Sequence, residues 1–224
     1  MVKTETKPKQ RIFIVDDHPI VREGLTQLIN HENDLHVCGD AGDVSQALQK
    51  IAKSKPDAVI VDIALGKTNG LRLIEDLSQN YPDIPVLTLS MHDESLYAER
   101  CLIAGARGYI MKQEPPEKVI SALRKILAGD IYISENIGAK LLNKMVSGKT
   151  TTALSPIELL SNRELEVFQL IGQGVKTRNI ADQLNLSIKT IETYVDHIKK
   201  KMNFADSRSL FLHAVQWAMK DTVE

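Results

Sequence analysis

Short apolar runs, each followed by a stretch of helical periodicity, organise the first half of this chain. The runs fall near residues 11–15, 35–39, 57–61, 85–89 and 107–111, and the amphipathic stretches near 19–30, 43–53, 70–80, 94–104 and 116–128. Apolar runs of this length read as strands buried on both faces of a parallel sheet. Their alternation with helices predicts an α/β, doubly wound, five-stranded parallel (flavodoxin-like) domain. Pro56 and Pro85 mark strand starts, Pro115-Pro116 suits a helix start, and Gly129 suits the end of the last helix.

The pattern changes after Gly129. A lone helical stretch covers about Glu135 to Met145, and Ser147-Gly148-Lys149-Thr150-Thr151-Thr152 is a polar segment suited to a linker. From Ser155 onward every periodic stretch is helical. Two segments, Ser155-Pro156-Ile157-Glu158 and Ser161-Asn162-Arg163-Glu164, carry Ser at a cap position and Glu three later, and either fits a capping box. A helix then runs to about Gly172, with Gly174 as its left-handed terminator. Ile180, Ala181 and Leu184 mark a short helix, and Asn185-Leu186 a turn. Ser187 caps a third helix reaching Met202, and a fourth covers Ser207 to Met219. Short helix, tight turn and longer helix make a helix-turn-helix. The expected organisation is a tail over 1–10, a sheet domain over 11–129, a linker with a helix over 130–154, and an all-α four-helix domain over 155–224.

The chain has 224 residues, a formal net charge of −1 and 43% hydrophobic residues, so charge alone points to neither nucleic acid nor membrane. No apolar run approaches the ~20 residues of a membrane span. The start of the chain has no apolar signal core, so a cytoplasmic location with no membrane partner is expected. Cys38 and Cys101 make neither a metal pair nor a disulfide framework, and are expected as reduced thiols.

Candidate chemistry lies at the strand ends. Asp16 and Asp17 follow the first strand, Asp62 the third, Ser90 ends the fourth and Lys112 follows the fifth. In a parallel sheet these positions share one edge, where ligands bind. Three converging carboxylates require a cation, and Mg²⁺ suits an all-oxygen donor set. A carboxylate beside such an ion can attack a phosphoryl group. The ordered set resembles the receiver domain of a two-component response regulator. That resemblance implies that Asp62 is the phosphoacceptor, charged by a histidine kinase. It implies Mg²⁺ held by Asp17 directly, by Asp16 partly through water, by Asp62 and by the backbone carbonyl of Ala64. It further implies phosphoryl binding by Ser90 and Lys112, and a rotamer switch at Tyr109. His18 reads as a surface or pocket-edge residue. Gln113 stands where many receivers carry proline.

On the third helix of the second half, Ile191, Tyr194, Val195, Ile198 and Met202 share one face, while Lys189, Glu192, Thr193, Asp196 and Lys200 share the other. The segment Leu160 to Met202 resembles the LuxR-type DNA-binding domain of the NarL/FixJ class. The resemblance rests on Leu160-Ser161-Asn162-Arg163-Glu164, Leu170-Ile171-Gly172-Gln173-Gly174, Asn179-Ile180-Ala181, Leu184, Ser187-Ile188-Lys189-Thr190-Ile191 and Ile198-Lys199-Lys200-Lys201-Met202. It implies promoter DNA as partner, contacted by Lys176, Arg178, Lys189, Thr190, Glu192, Thr193, Asp196, Lys199, Lys200 and Lys201. From Leu154 to Glu224 there are nine Lys or Arg against nine Asp or Glu. A neutral domain binds polyanionic DNA weakly alone, which favours a homodimer on activation. Glu192 and Asp196 depart from the lysines that some members use to read guanine. Three other readings fit less well. An aspartyl-phosphate phosphatase commonly carries a second Asp where Ala64 stands. A small-molecule-sensing LuxR regulator needs an apolar ligand cavity. A phosphorylation-independent binding module has no need of the intact acceptor set.

Overall fold

The computed structural model describes residues 8–65, 68–147, 156–184 and 186–221. Most of the expected tail, the polar segment 148–152, the Ser155 cap and Asn185 lie outside the described residues. The chain divides into two compact units, Met1–Ala139 and Lys140–Glu224.

In the first unit, strands β1 (Gln10–Val15), β2 (Leu35–Ala41), β3 (Ala58–Val61), β6 (Val86–Ser90) and β7 (Gly108–Met111) form one parallel sheet in the order β2-β1-β3-β6-β7. Helices α1 (Pro19–Asn30), α2 (Val44–Ser54), α3 (Gly70–Asn80), α4 (Glu94–Ala104) and α5 (Pro116–Leu127) alternate with them. The central strands are buried along almost their whole length, which explains their unbroken apolar sequences. Side chains from β1, β3, β6 and β7 pack against α1 and α5 on one face. The loops into three helices are fixed by caps. Asp43, Asn69 and Asp93 accept from the amides of Gln46, Leu71 and Ser95 at 2.9, 2.9 and 2.7 Å. Pro116 occupies the first turn of α5, and Gly129 lies just past it with φ +92°.

Two features were not expected from the sequence. Ala64–Leu65 (β4) and Thr68–Asn69 (β5) form a small antiparallel pair directly after Asp62. Segments this short carry no readable alternation. Second, the chain after α5 returns to the sheet. Tyr132 pairs with Gly108 at the edge strand, Tyr109 N–H donates to the Tyr132 carbonyl at 2.9 Å, and Tyr132 N–H donates to the Arg107 carbonyl at 2.9 Å. Ser134 Oγ donates to Glu94 Oε1 at 2.8 Å and accepts from Ile137 N–H in the first turn of α6 (Glu135–Ser147).

The second unit has a 3₁₀ turn (Pro156–Leu159) followed by α7 (Asn162–Gly172), α8 (Thr177–Leu184), α9 (Ile188–Lys201) and α10 (Ser207–Asp221). Ser161 and Glu164 form the reciprocal capping box of α7. Gly174 adopts φ +77°, as its place after α7 predicts. Ser187 Oγ accepts from Thr190 N–H at 3.1 Å and starts α9. Leu165, Phe168, Ile180, Ile191, Ile198, Leu210 and Ala214 form the buried centre. A side chain at Gly172 would collide with the backbone of Ala214, so this glycine sets how closely α10 packs on α7.

Candidate functional site

Strand order makes the first site. β1 and β3 are neighbours at the point where the winding reverses, so Asp16, Asp17 and Asp62 meet at one sheet edge. Asp16 and Asp62 are 2% exposed, and Asp17 lies at the rim. One ligand atom from each of Asp16, Asp17, His18 and Asp62 falls within 4.8 Å of the others. Lys112 Nζ reaches in from beyond β7, 2.6 Å from Asp16 Oδ2 and 2.7 Å from Asp62 Oδ2. The other Asp62 oxygen accepts from Ala64 N–H at 3.1 Å.

Burial raises the Asp62 carboxyl above its ordinary value, and the hydrogen bond from Lys112 only partly opposes this. Burial alone would lower the Lys112 ammonium, but its bonds to Asp16 and Asp62 outweigh that and hold it above its ordinary value. Three carboxylates against one ammonium leave an excess of negative charge. Asp17 Oδ1 is buried and accepts no hydrogen bond, although His18 Nδ1 lies 2.7 Å away. Three carboxylates with surplus negative charge, one of them with a buried oxygen that accepts no hydrogen bond, fit a hard divalent cation such as Mg²⁺.

Ser90 is fully buried at the end of β6, and its hydroxyl accepts from His92 N–H at 3.2 Å. Tyr109 is 2% exposed, and its hydroxyl donates to the His92 carbonyl at 2.7 Å. The ring is therefore already inside, and burial pushes its phenol up. Cys101 is fully buried nearby, its thiol pushed by burial up to about 12. Cys38 and Cys101 are both free thiols.

Sequence reasoning passed over Gly70. A Cβ there would overlap the Asp62 carbonyl oxygen and crowd Ile63 Cα. The backbone of Asp62 thus requires a glycine at the start of α3, a signal present as Asn69-Gly70 but readable only once the loop is folded. His18 lies at the pocket edge, its side chain 61% exposed while touching both Asp16 and Asp17.

In the second unit, Lys176, Arg178, Lys189, Glu192, Thr193, Asp196 and Lys200 are exposed, and Thr190 is half-buried with its hydroxyl 2.8 Å from Ser187 Oγ. The three lysines at the end of α9 are not equivalent. Lys201 Nζ lies 2.6 Å from Glu164 Oε2, and Glu164 is 3% exposed. Burial alone would raise that carboxyl, but Lys201 and Ser161 hold it below its ordinary range. Lys199 pairs with Asp196 at 2.8 Å. Only Lys200 of the three has no ion pair among the described residues.

Residues 12–124 match the response regulator receiver domain, and residues 158–214 match the bacterial regulatory proteins of the luxR family. The chain belongs to the response regulators of this LuxR type, DNA-binding transcription regulators controlled by phosphorylation of a receiver domain. Oxygen regulatory protein NreC of Staphylococcus carnosus is 35% identical over 215 residues, covering 94% of this chain and 99% of that protein. RcsB of Salmonella typhimurium, studied for conformational dynamism in DNA interaction, is 25% identical with a TM-score of 0.71, covering 94% of this chain and 98% of RcsB. A LuxR-family response regulator from Aurantimonas sp. SI85-9A1 is 33% identical with a TM-score of 0.57, covering 62% of this chain and 99% of that one. Among the described residues no helix is long and apolar enough to cross a membrane.

Proposed function

We propose that Asp62 is the phosphoacceptor and that a partner histidine kinase is the donor. The observation that carries this is the buried Asp62 carboxylate at the end of β3, with the Lys112 ammonium 2.7 Å away. A carboxylate oxygen of Asp62 attacks the phosphorus of a phosphohistidine. A P–O bond forms as the P–N bond breaks, and the imidazole leaves. Lys112 shifts from Asp62 to an oxygen of the arriving phosphoryl group, keeping its hold on Asp16. The Ser90 hydroxyl donates to a second phosphoryl oxygen. Asp17, Asp16, Asp62 and the Ala64 carbonyl would hold Mg²⁺, which when bound neutralises charge on the phosphoryl oxygens.

The added phosphoryl charge and the new bonds of Ser90 and Lys112 act on the loop that carries His92. Tyr109 is tied to that loop through the His92 carbonyl, so it registers the change without first having to turn inward. Downstream, phosphorylation frees α9 and promotes a homodimer that engages two half-sites of promoter DNA in the cytoplasm. The zero net charge of residues 154–224 supports the dimer, because one copy has little electrostatic hold on DNA.

The test is intact-protein mass after incubation with Mg²⁺ and acetyl phosphate, on wild type and Asp62→Asn. Wild type should gain one phosphoryl group and the variant none. Equal gain by both proteins would refute the assignment.

A further inference from the structure

The outward face of α9 carries charges of both signs, and the structure sorts them. Asp196 is matched by Lys199 one turn on, and that ammonium holds its carboxyl below the ordinary range. Lys201 is turned back onto Glu164. The Glu192 side chain is exposed, and no hydrogen bond or ion pair joins its carboxylate to another described residue. Ile191 and Ile198 are fully buried and fix the rotation of the helix, which leaves Glu192 on the open side with Lys189 and Lys200. One turn earlier stands Ile188, an apolar residue 46% exposed in the first turn of α9.

An unmatched carboxylate on a surface that meets phosphates weakens binding wherever it finds no donor. In the major groove the donors are the N4 amine of cytosine and the N6 amine of adenine. Adenine sets an N7 acceptor beside its amine, which opposes a carboxylate, whereas cytosine offers only the amine. The apolar counterpart for an exposed isoleucine is the C5-methyl group of thymine. Ile188 and Glu192 are four residues apart, about 6 Å along a helix rising 1.5 Å per residue. Along a groove followed by the helix, this is about two base-pair steps of 3.4 Å.

We propose that Glu192 reads the N4 amine of a cytosine and that Ile188 packs on a thymine methyl about two base pairs away, together setting the half-site specificity of this regulator. The assignment rests on α9 being the helix that enters the groove.

Selection from randomised duplexes with the phosphorylated full-length protein tests it, on wild type, Glu192→Gln and Ile188→Ala. Wild type should enrich a motif with a cytosine and a thymine at that spacing. Replacing the cytosine should weaken wild-type binding roughly 5- to 100-fold. Glu192→Gln should lose the cytosine and move toward adenine, which a glutamine amide can bind at N6 and N7. Ile188→Ala should lose only the thymine. Unchanged Trp217 melting in both variants confirms that they fold. An identical motif in Glu192→Gln makes Glu192 a solvated surface residue and overturns its assignment, as an unaltered thymine preference in Ile188→Ala does for Ile188. No enriched motif with phosphorylated wild type overturns α9 as the reading helix, and this proposal with it.

Discussion

Lys112→Met isolates the force that holds the acidic pocket together. The substitution keeps an unbranched apolar stem and removes the ammonium that lies 2.6 and 2.7 Å from two buried carboxylates. At an effective dielectric of about 20, each contact is worth roughly 6 kcal/mol of attraction before desolvation is counted. Desolvation offsets most of this in the intact site, yet removing one partner leaves the other charges buried and unmatched. Such losses run to about 3–5 kcal/mol. For a domain of this size that is a fall of roughly 10–15 °C in Tm. The assay is thermal melting of the full-length chain with a chelator present. The single tryptophan, Trp217, lies in α10 and reports the second unit, while far-ultraviolet circular dichroism reports both. Lys112→Met should lower the dichroism transition and leave the tryptophan transition in place. The deficit should also shrink on acidification. The folded Asp62 carboxyl titrates above its ordinary 3.8, so just above that pH the folded state binds more protons than the unfolded one. Stability from that proton is present at low pH and is lost as pH rises through the folded value. Without Lys112 the carboxyl titrates higher still and the window widens. A fall of less than about 3 °C, or a deficit that grows on acidification, would refute the reasoning.

Mg²⁺ should raise the Tm of the first unit by an amount equivalent to about 2.7 kcal/mol at a hundred times its Kd, and Asp17→Asn should abolish the gain, as melting with and without chelator will show. Gly70→Ala should destabilise by about 2 kcal/mol or more and impair phosphoryl acceptance, because its Cβ would overlap the Asp62 carbonyl. Gly24→Ala, on the exposed side of α1 with open space for a methyl group, should instead stabilise by about 0.5–1 kcal/mol. Lys200→Ala should lower the salt slope of DNA binding by about 1 with no change in Trp217 melting. Lys201→Ala should lower that melting temperature, because it strands the buried Glu164 carboxylate.

The parallel sheet and its acidic corner were legible because such a sheet writes itself as unbroken apolar runs, with chemistry placed at their ends. Residues 58–61 show this well: four buried apolar positions followed by Asp62. Caps were legible for the same local reason, since Ser161, Glu164 and Ser187 act within one turn of themselves. What escaped reading depends on contacts distant in sequence. Lys201 ends a run of three lysines that looks uniform, and only folding brings it to Glu164 across the domain. The constraint on Gly70 appears only when the β4–β5 pair has turned the chain back on Asp62. The state of Tyr109 follows from where the His92 carbonyl lies, which no periodicity encodes.

The return of the chain over β7 bears on where this protein can be cut. A bare edge strand offers unpaired amides and carbonyls to any other strand, and is a starting point for aggregation. Here the Tyr132 carbonyl occupies the Tyr109 amide, and the Tyr132 amide occupies the Arg107 carbonyl. A receiver fragment ended at Gly129, where the last helix of the sheet stops, would strip that cover and expose the one edge that carries the Tyr109 ring. It would self-associate for reasons unrelated to signalling, and its oligomeric state would mislead. A fragment continued to Ala139, the end of the first compact unit, keeps that edge covered and Ser134 on Glu94, so its association does not arise from a stripped strand.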